Sequence, residues 1–177
     1  MREDLVSSQR IYEGRILNLR LDTVRLPSGR ITDREVVEHG GSVATVALDE
    51  ANNVLLVSQF RAAVGRKLLE IPAGTIEAGE KAEACALREL REETGYVASH
   101  IEELYTFYTS PGFCNERICL YLATVLERAG QELESDESIE VVELPLARAL
   151  EMVDSGEICD GKTVLGLIAA GARVLAS

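Results

Sequence analysis

The chain has 177 residues, the length of one ordinary domain, and is long enough to bury a hydrophobic core. Its 18 basic and 30 acidic residues give a net charge of −12, which argues against a nucleic-acid backbone as a partner. The N-terminus lacks the apolar core of a secretory signal, and no apolar run approaches the length of a membrane span, so we expect no membrane partner.

Residues 1–40 are expected to form a small antiparallel sheet that precedes the main domain. Apolar and polar residues alternate from about Ser8 to Glu38, and a Pro-Ser-Gly turn separates the runs over residues 16–26 and 31–37, which is the pattern of a β-hairpin. Two or three strands alone are only marginally stable. This region must therefore pack on the main domain or on a second copy of the chain, and the second option predicts a homodimer.

Residues 41–177 are expected to form the main domain. Residues 42–48 and 54–60 are almost continuously apolar, which indicates central strands that are buried on both faces. The other predicted elements are strands over 101–108, 117–126 and 140–144, a helix that ends at Gly95, and helices over 146–154 and 162–175. Strands interleaved with helices predict an α/β fold with helices on both faces of a mixed sheet.

The cysteines give no sign of a metal site or a disulfide framework. The four of them lack C-x-x-C spacing and are scattered along the chain: Cys85, Cys114, Cys119 and Cys159. Free thiols favour a reducing compartment, so we expect a cytoplasmic location. Cys85 is interpreted as a small packing residue in a helix.

The stretch Gly74–Tyr96 is a glycine-started loop that leads into a helix. Gly79 is a candidate N-terminal cap, and Glu80 and Glu83 put negative charge in the first turn, where the helix dipole favours it. Gly95 is expected to end the helix because glycine adopts the left-handed conformation at low cost. An apolar stripe recurs every four residues: Ala82, Ala86 and Leu90.

Three carboxylates on this helix need a partner: Glu89, Glu92 and Glu93. Like charges three or four residues apart repel, and a half-buried carboxylate without a partner is costly. Arg88 can pair with Glu92, but one arginine cannot neutralise three acids. A divalent cation with oxygen ligands would do so, which favours Mg²⁺, with Mn²⁺ as a substitute. The alternative is a solvated acidic helix face.

The spacing resembles the Nudix box, G-x5-E-x7-R-E-U-x-E-E-x-G-U, in which U is apolar. All fixed positions are filled: Gly74, Glu80, Arg88, Glu89, Leu90, Glu92, Glu93, Gly95 and Tyr96. Chance agreement is on the order of 10⁻⁸ per starting position. The resemblance implies a Nudix-type α/β/α sandwich with a mixed sheet, and an enzyme that hydrolyses a nucleoside diphosphate linked to another moiety.

The same resemblance implies roles within the box. Glu89 and Glu93 are the main metal ligands, helped by Glu92 and the carbonyl group of Ala73. Glu92 and Glu93 are therefore also counted as catalytic. The other two charged positions, Glu80 and Arg88, are expected to brace the loop against the helix.

Segments outside the box resemble the ADP-ribose pyrophosphatase subfamily. They are residues 59–61, residues 69–74, Pro111 sixteen residues after Gly95, and residues 160–163. The resemblance covers most of the chain from about residue 34, and the N-terminal sheet fits that subfamily's dimer-forming sheet. The implied reaction converts ADP-ribose and water to AMP and ribose 5-phosphate.

The subfamily resemblance also implies substrate contacts. Arg34 and Arg61 are candidates for holding phosphates or adenine, because arginine makes planar contacts with several donors. Surface charge is the alternative for both. Glu116 and Pro111 are expected near the substrate, although Glu116 could instead pair with Arg117, and Ser-Pro-Gly is also an ordinary turn.

The general base is expected, by the same resemblance, in the acidic loop over residues 131–138. Glu137 lies nearest the following strand and is the first choice, with Asp136 and Glu134 as alternatives. Any of them could simply be a solvated loop acid.

Other functions stay open at this point. The box positions a metal and a diphosphate rather than the leaving group, so other nucleoside diphosphate sugars, dinucleotides and oxidised nucleotides are alternative substrates. A non-catalytic ligand sensor coupled to DNA binding is opposed by the complete set of box carboxylates and by the lack of a basic helix-turn-helix segment. A purely structural acidic scaffold would leave the clustered glutamates without a purpose.

Overall fold

A computed structural model describes residues 2–132 and 138–176. The chain divides into two compact units. The smaller comprises Met1–Gly41 and Phe107–Arg117, and the larger comprises Ser42–Thr106 and Ile118–Ser177.

The smaller unit contains a three-stranded antiparallel sheet in the order β1 (Asp4–Glu13), β2 (Leu17–Arg25) and β3 (Ile31–His39). β2 and β3 form the predicted hairpin, with Gly29 at a φ of 84° in the turn. β1 begins four residues before the predicted alternating segment, and no separate strand was assigned there. Its pairing with β2 shifts register twice, between Leu5 and Ser7 and between Arg10 and Tyr12. Such shifts interrupt the two-residue alternation that identifies a strand in a sequence.

The turn that contains Pro111 joins this sheet. The backbone N–H groups of Phe113 and Cys114 donate to the carbonyl oxygen of Ser110, at 3.1 and 2.9 Å. The N–H group of Val37 in β3 donates to the carbonyl oxygen of Phe113 at 2.7 Å. Residues 110–114 therefore form a backbone-bonded turn attached to β3.

The larger unit is built on a seven-stranded sheet. Its strands are β4 (Ser42–Leu48), β5 (Asn53–Arg61), β6 (Arg66–Glu70), β7 (Ala73–Thr75), β8 (Tyr96–Tyr108), β9 (Arg117–Arg128) and β10 (Ile139–Pro145). The main order is β10-β5-β4-β9-β8, with β6 paired to β5 and β7 to β4. β4 runs parallel to β9 and antiparallel to β5, so the sheet is mixed, as predicted.

Helices cover both faces of this sheet: α1 (Ala82–Thr94), α2 (Leu146–Asp154) and α3 (Gly161–Ala176). Val43 and Ala47 of β4 pack in clusters with buried residues of α1. Val46 faces the other way, because a Cβ atom on Gly166 of α3 would lie 2.8 Å from its Cγ2 atom. The α/β/α sandwich is confirmed, and all seven residues of β4 are buried, as expected for a central strand.

The start of helix α1 differs from the prediction. Lys81, not Gly79, occupies the N-cap position, and its side chain makes no capping hydrogen bond. Gly79 has a φ of 84° in a turn where the N–H group of Glu80 donates to the carbonyl oxygen of Glu77 at 3.0 Å. Glu83 alone supplies negative charge to the first helical turn, and Glu80 precedes the helix.

None of the helices in the described part of the chain is both long enough and apolar enough to cross a membrane.

Candidate functional site

The apolar stripe of α1 determines which carboxylates are buried. Ala86 and Leu90 are fully buried against the sheet, which turns the next residues on the same side of the helix toward the protein interior. Glu93 is one of these, and only 4% of its surface is exposed. Gly95 ends the helix, as predicted, in the left-handed conformation, with its N–H group 2.8 Å from the carbonyl oxygen of Arg91.

Glu93 is tied to the loop that enters the helix. Its Oε2 atom accepts a hydrogen bond from the backbone N–H group of Ala73, at 2.9 Å. Ala73 begins β7 and pairs with Ala44 of the buried strand β4. A buried carboxylate is costly without such partners. The bond therefore fixes Glu93 beside the residue whose carbonyl group was predicted to share the metal.

Gly74 makes room for Glu89. A Cβ atom at position 74 would lie 1.9 Å from the Cδ atom of Glu89 and 2.0 and 2.4 Å from its two oxygen atoms. Real Cβ contacts are not that short, so any side chain here would displace the carboxylate. The first glycine of the box is thus required by the position of Glu89 rather than by a turn.

Arg88 connects the loop to the helix carboxylates. Its Nε and Nη2 atoms donate to the two carboxylate oxygens of Glu80, at 2.9 and 3.1 Å. Its Nη1 atom donates to Glu89 and to Glu92, both at 2.8 Å. The predicted Arg88–Glu92 pair is present, and Arg88 serves two more acids as well. The hydrogen bond from Arg88 is the largest cause that lowers the pKa of Glu80, to about 2.

The donor set fits a hard divalent cation in its chemistry. The predicted ligands offer only oxygen atoms, from three carboxylates on one helix and one backbone carbonyl group, which is what Mg²⁺ and Mn²⁺ prefer. The Glu89 carboxylate occupies the space that a side chain at position 74 would fill, which is consistent with a role for this carboxylate other than packing. Within residues 2–132 and 138–176, however, no three His, Cys, Asp or Glu side chains converge into a metal-binding cluster. The ligand assignment therefore stays a prediction.

Arg61, at the end of β5, lies in a network that the sequence did not reveal. Its Nε and Nη2 atoms donate to the two oxygens of Glu70, both at 2.7 Å. Lys162 donates to the same Glu70 at 2.5 Å. Burial raises the pKa of Glu70, but the hydrogen bond from Arg61 and the charge of Lys162 outweigh it and hold the pKa below its usual value. A lone glutamate between apolar residues of a strand was the available signal.

Three of the predicted substrate residues belong to the smaller unit. Arg34 in β3 is exposed and pairs with Glu3, its Nη2 atom 2.7 Å from Oε1, and this hydrogen bond raises the pKa of Arg34. Glu116 accepts a hydrogen bond from Thr109 at 3.0 Å and lies 3.7 Å from Nδ1 of His39. Pro111 lies in the turn over residues 110–114. Their substrate roles stay predictions.

The residues predicted as general base, Glu137 with Asp136 and Glu134 as alternatives, lie outside the described residues. The segment before them is attached to the end of α1. Ala129 and Gly130 donate backbone hydrogen bonds to the carbonyl oxygen of Gly95, at 2.8 and 3.0 Å. The side chain of Gln131 and the N–H group of Glu132 donate to the carbonyl oxygens of Glu93 and Glu92, at 2.6 and 3.1 Å.

This attachment gives Gly95 a second reason to be glycine. A Cβ atom there would lie 2.8 Å from the backbone nitrogen of Gln131, in addition to the cost of a φ of 75°. We expect Gly95→Ala to lower the free energy of unfolding by roughly 2–4 kcal/mol. Gly156→Ala is the matched control, since Gly156 has a φ of 77° but nothing within 4 Å of its Cβ position. Equal losses in urea denaturation of the two variants would contradict the close approach.

The fold and the site together define a class of protein. It is an α/β/α protein in which a helix carries three carboxylates, and Arg88 and the Ala73 N–H group bond them to the loop that enters the helix.

The chain belongs to the Nudix family. The family model described as NUDIX domain matches residues 38–162, and the model described as nucleoside diphosphate sugar hydrolase N-terminal domain matches residues 3–37. The resemblance identified from the box is thereby confirmed. Enzymes of this family generally depend on a divalent metal ion.

Similar proteins agree with this assignment. The chain is 41% identical over 170 residues to an ADP-ribose pyrophosphatase of Bacillus subtilis, covering 94% of this chain and 91% of the relative. It is 40% identical over 167 residues to a methanol dehydrogenase activator of Bacillus methanolicus, covering 93% and 90%. A crystal structure of an ADP compounds hydrolase superimposes with a TM-score of 0.89 over 99% of this chain and 96% of that one, at 18% identity, which supports the fold.

Proposed function

We propose that the protein is an ADP-ribose pyrophosphatase that hydrolyses ADP-ribose to AMP and ribose 5-phosphate and uses Mg²⁺, with Mn²⁺ as a substitute. The observation that carries this function is the complete Nudix box, in which Glu93 is buried on the Ala73 N–H group and Glu89 fills the space left by Gly74. The similarity to an ADP-ribose pyrophosphatase over nearly the whole chain supports this substrate.

The reaction needs few covalent steps. The oxygen of a water molecule forms a bond to one phosphorus of the diphosphate, the bond from that phosphorus to the bridging oxygen breaks, and the water gives up a proton. A bound divalent cation neutralises the phosphate charge and lowers the pKa of water. Glu89, Glu92, Glu93 and the carbonyl group of Ala73 would hold that cation. Arg88 and Glu80 keep the loop and the helix in register for it.

Glu137 is the proposed general base that accepts the proton of the attacking water, with Asp136 and Glu134 as alternatives. The attachment of residues 129–132 to the end of α1 supports this, because it ties the root of the acidic segment to the backbone of Glu92 and Glu93. We expect Glu137→Gln to lower kcat by about 10²- to 10⁴-fold while the affinity for Mn²⁺ is unchanged. An unchanged kcat would transfer the role to Asp136, Glu134 or another group.

Arg61, Arg34, Glu116 and Pro111 are the proposed substrate contacts. Arg61 has the strongest support, because its pKa is raised mainly by the hydrogen bond with Glu70 and also by the charge of Glu93, one of the predicted metal ligands. The diphosphate of the substrate is the group that a guanidinium near a metal-binding carboxylate would bind.

Another nucleoside diphosphate sugar is the main alternative substrate. It is favoured by the match of residues 3–37 to a nucleoside diphosphate sugar hydrolase N-terminal domain. The test compares hydrolysis of ADP-ribose, ADP-glucose, GDP-mannose, dinucleotides and 8-oxo-dGTP at equal concentrations with Mg²⁺. The highest kcat/KM should belong to ADP-ribose. Preference for another compound would leave the proposed catalytic centre standing but contradict ADP-ribose as the substrate. Binding without turnover would favour a non-catalytic sensor.

The protein is further proposed to be a homodimer through its N-terminal sheet. Every residue of β1 is exposed, including four large apolar residues: Leu5, Val6, Ile11 and Tyr12. Association would remove these apolar residues from water, and a second copy is the partner that is always present. Light scattering should give twice the chain mass of 19.3 kDa. A monomer at micromolar concentration would contradict the proposal.

A cytoplasmic location is proposed on the state of the cysteines. All four are free thiols, which persist in a reducing compartment. Cys85 is fully buried, and burial is the largest cause that raises its pKa, to about 12. It packs with Val43 and Ala86, in agreement with the predicted packing role.

A further inference from the structure

A carboxylate outside the box, Glu70 at the end of β6, is buried and holds two cations. Only 1% of its surface is exposed. Oε1 accepts from Nε of Arg61, and Oε2 accepts from Nη2 of Arg61 and from Nζ of Lys162. The two parallel bonds from Arg61 form the bidentate pair that fixes both the distance and the plane of a guanidinium group. Removing either cation would leave a buried charge poorly compensated.

The rest of the network fixes Glu70 from the other side. Lys162 also donates to Asp160 at 3.0 Å, and Asp160 accepts from the N–H and hydroxyl groups of Thr163 at 3.1 and 2.6 Å. The hydroxyl oxygen of Thr163, which is fully buried, accepts from the N–H group of Ile71 at 2.9 Å. The start of α3 and the residue after Glu70 are therefore joined, so the carboxylate has little freedom to turn.

The segment after Glu70 leads directly to the proposed catalytic centre. Ile71 is bonded to α3, and Ala73, two residues on, is bonded to Glu93 of α1. Ala73 is three positions after Glu70, a span of at most about 11 Å. One short segment therefore connects the Glu70 network with the box carboxylate Glu93, and hydrogen bonds hold it at both ends.

Arg61 is the exposed member of the network. Its side chain is 39% exposed, in contrast to Glu70 and to Lys162. Two of its nitrogen atoms are used by Glu70, and among the described residues no hydrogen-bond acceptor is found for Nη1. After the hydrogen bond with Glu70, the charges of Glu93 and Asp160 help to raise the pKa of Arg61. Glu70 holds one edge of the guanidinium, and the partial exposure of the side chain leaves the other edge able to meet a ligand.

We propose that Glu70, held in place by Lys162, is a positioning residue that orients Arg61 to bind the diphosphate of the substrate. Stability alone explains the network less well, since a buried ion pair is often no more stable than an apolar replacement. The inference rests on the proposed function in one respect, because it takes the ligand to be a diphosphate ester.

A double-mutant cycle tests the inference. Binding of the α,β-methylene analogue of ADP-ribose with Mg²⁺ is measured by calorimetry for wild type, Arg61→Ala, Glu70→Gln and the double variant. Each single change should raise Kd by about 10- to 100-fold. If Glu70 acts through Arg61, adding Glu70→Gln to Arg61→Ala should change Kd by less than about twofold. The proposal would be overturned if Glu70→Gln raised Kd by the same factor in the wild-type protein and in Arg61→Ala. It would also be overturned if Glu70→Gln bound the analogue with wild-type affinity.

A second variant keeps the test decisive if Glu70→Gln does not fold. Arg61→Lys retains the positive charge but cannot form both bonds to Glu70. It should bind the analogue as weakly as Arg61→Ala, to within about threefold. Wild-type affinity would show that charge alone suffices and would overturn the inference. Arg148→Ala, which removes an exposed pair with Glu151, is the matched control and should bind as wild type does.

Chemical rescue gives an independent readout. Free guanidinium should restore part of the ADP-ribose turnover of Arg61→Ala, but not that of the double variant with Arg61→Ala and Glu70→Gln. Equal rescue of the two variants would show that the Glu70 carboxylate does not hold the guanidinium group in place. If the wild-type protein hydrolyses ADP-ribose and the Arg61 and Glu70 effects are independent, this inference fails alone. If the wild-type protein neither binds the analogue nor hydrolyses ADP-ribose, the proposed function fails with it.

Discussion

Replacing Glu93 by glutamine is expected to lower kcat for ADP-ribose by about three orders of magnitude and to leave the fold intact. Glutamine keeps the shape of the side chain, and its oxygen can still accept the hydrogen bond from the N–H group of Ala73. What is lost is the negative charge at a site that is only 4% exposed. A metal ligand without charge would bind the cation weakly, whereas a packing residue would tolerate the change. Turnover is measured as AMP release at saturating Mg²⁺.

Glu83→Gln is the control for this result. Glu83 is on the same helix and has the same charge, but it is exposed in the first turn. It should keep wild-type turnover. If Glu93→Gln also kept it, or if both variants lost activity equally, Glu93 would not be a ligand of the catalytic metal.

Gly74→Ala is expected to lower kcat by about 10²- to 10³-fold, because the added Cβ atom requires the space that the Glu89 carboxylate fills. The nearest contact would be 1.9 Å, so the carboxylate must move by more than an ångström. Glu89 also binds Nη1 of Arg88, and its displacement would disturb that contact. The loss should appear in turnover and in the affinity for Mn²⁺, with a melting temperature close to that of the wild type.

Gly40→Ala separates this effect from a general effect of losing a glycine. A Cβ atom at position 40 meets nothing within 4 Å, and its φ is not in the left-handed region. Its turnover should be that of the wild type. Full activity in Gly74→Ala would show that the Glu89 carboxylate can act from another position. It would contradict the claim that Gly74 is required to make room for Glu89.

The parts of the fold that follow from local pattern could be predicted from the sequence. β4 and β5 were identified because continuous apolar runs indicate strands that are buried on both faces. The end of α1 was identified because only a glycine adopts the conformation found at Gly95 without cost. The carboxylates of the box were found because helical spacing places them on neighbouring positions, where their repulsion needs a partner.

Other parts depend on contacts that no local pattern encodes. The predicted alternation began only at about Ser8 and β1 was not assigned as a separate strand, because two register shifts break its pattern. Gly79 was a wrong choice for the helix cap, because Glu80 folds back onto Arg88 and the helix starts only after Lys81. The Glu70 network joins residues 92 positions apart, so the sequence shows a glutamate in an apolar strand but not the lysine that neutralises it.

The most direct test of the account is the rate of AMP release from ADP-ribose by metal-free protein to which Mg²⁺ is returned in steps. The rate should be close to zero in chelator, should rise with Mg²⁺ to a plateau, and should be accompanied by an equal amount of ribose 5-phosphate. Equal rates with and without the metal, or no AMP at any concentration of Mg²⁺ or Mn²⁺, would contradict the central claim that the segment from Gly74 to Gly95 is a metal-dependent hydrolytic centre.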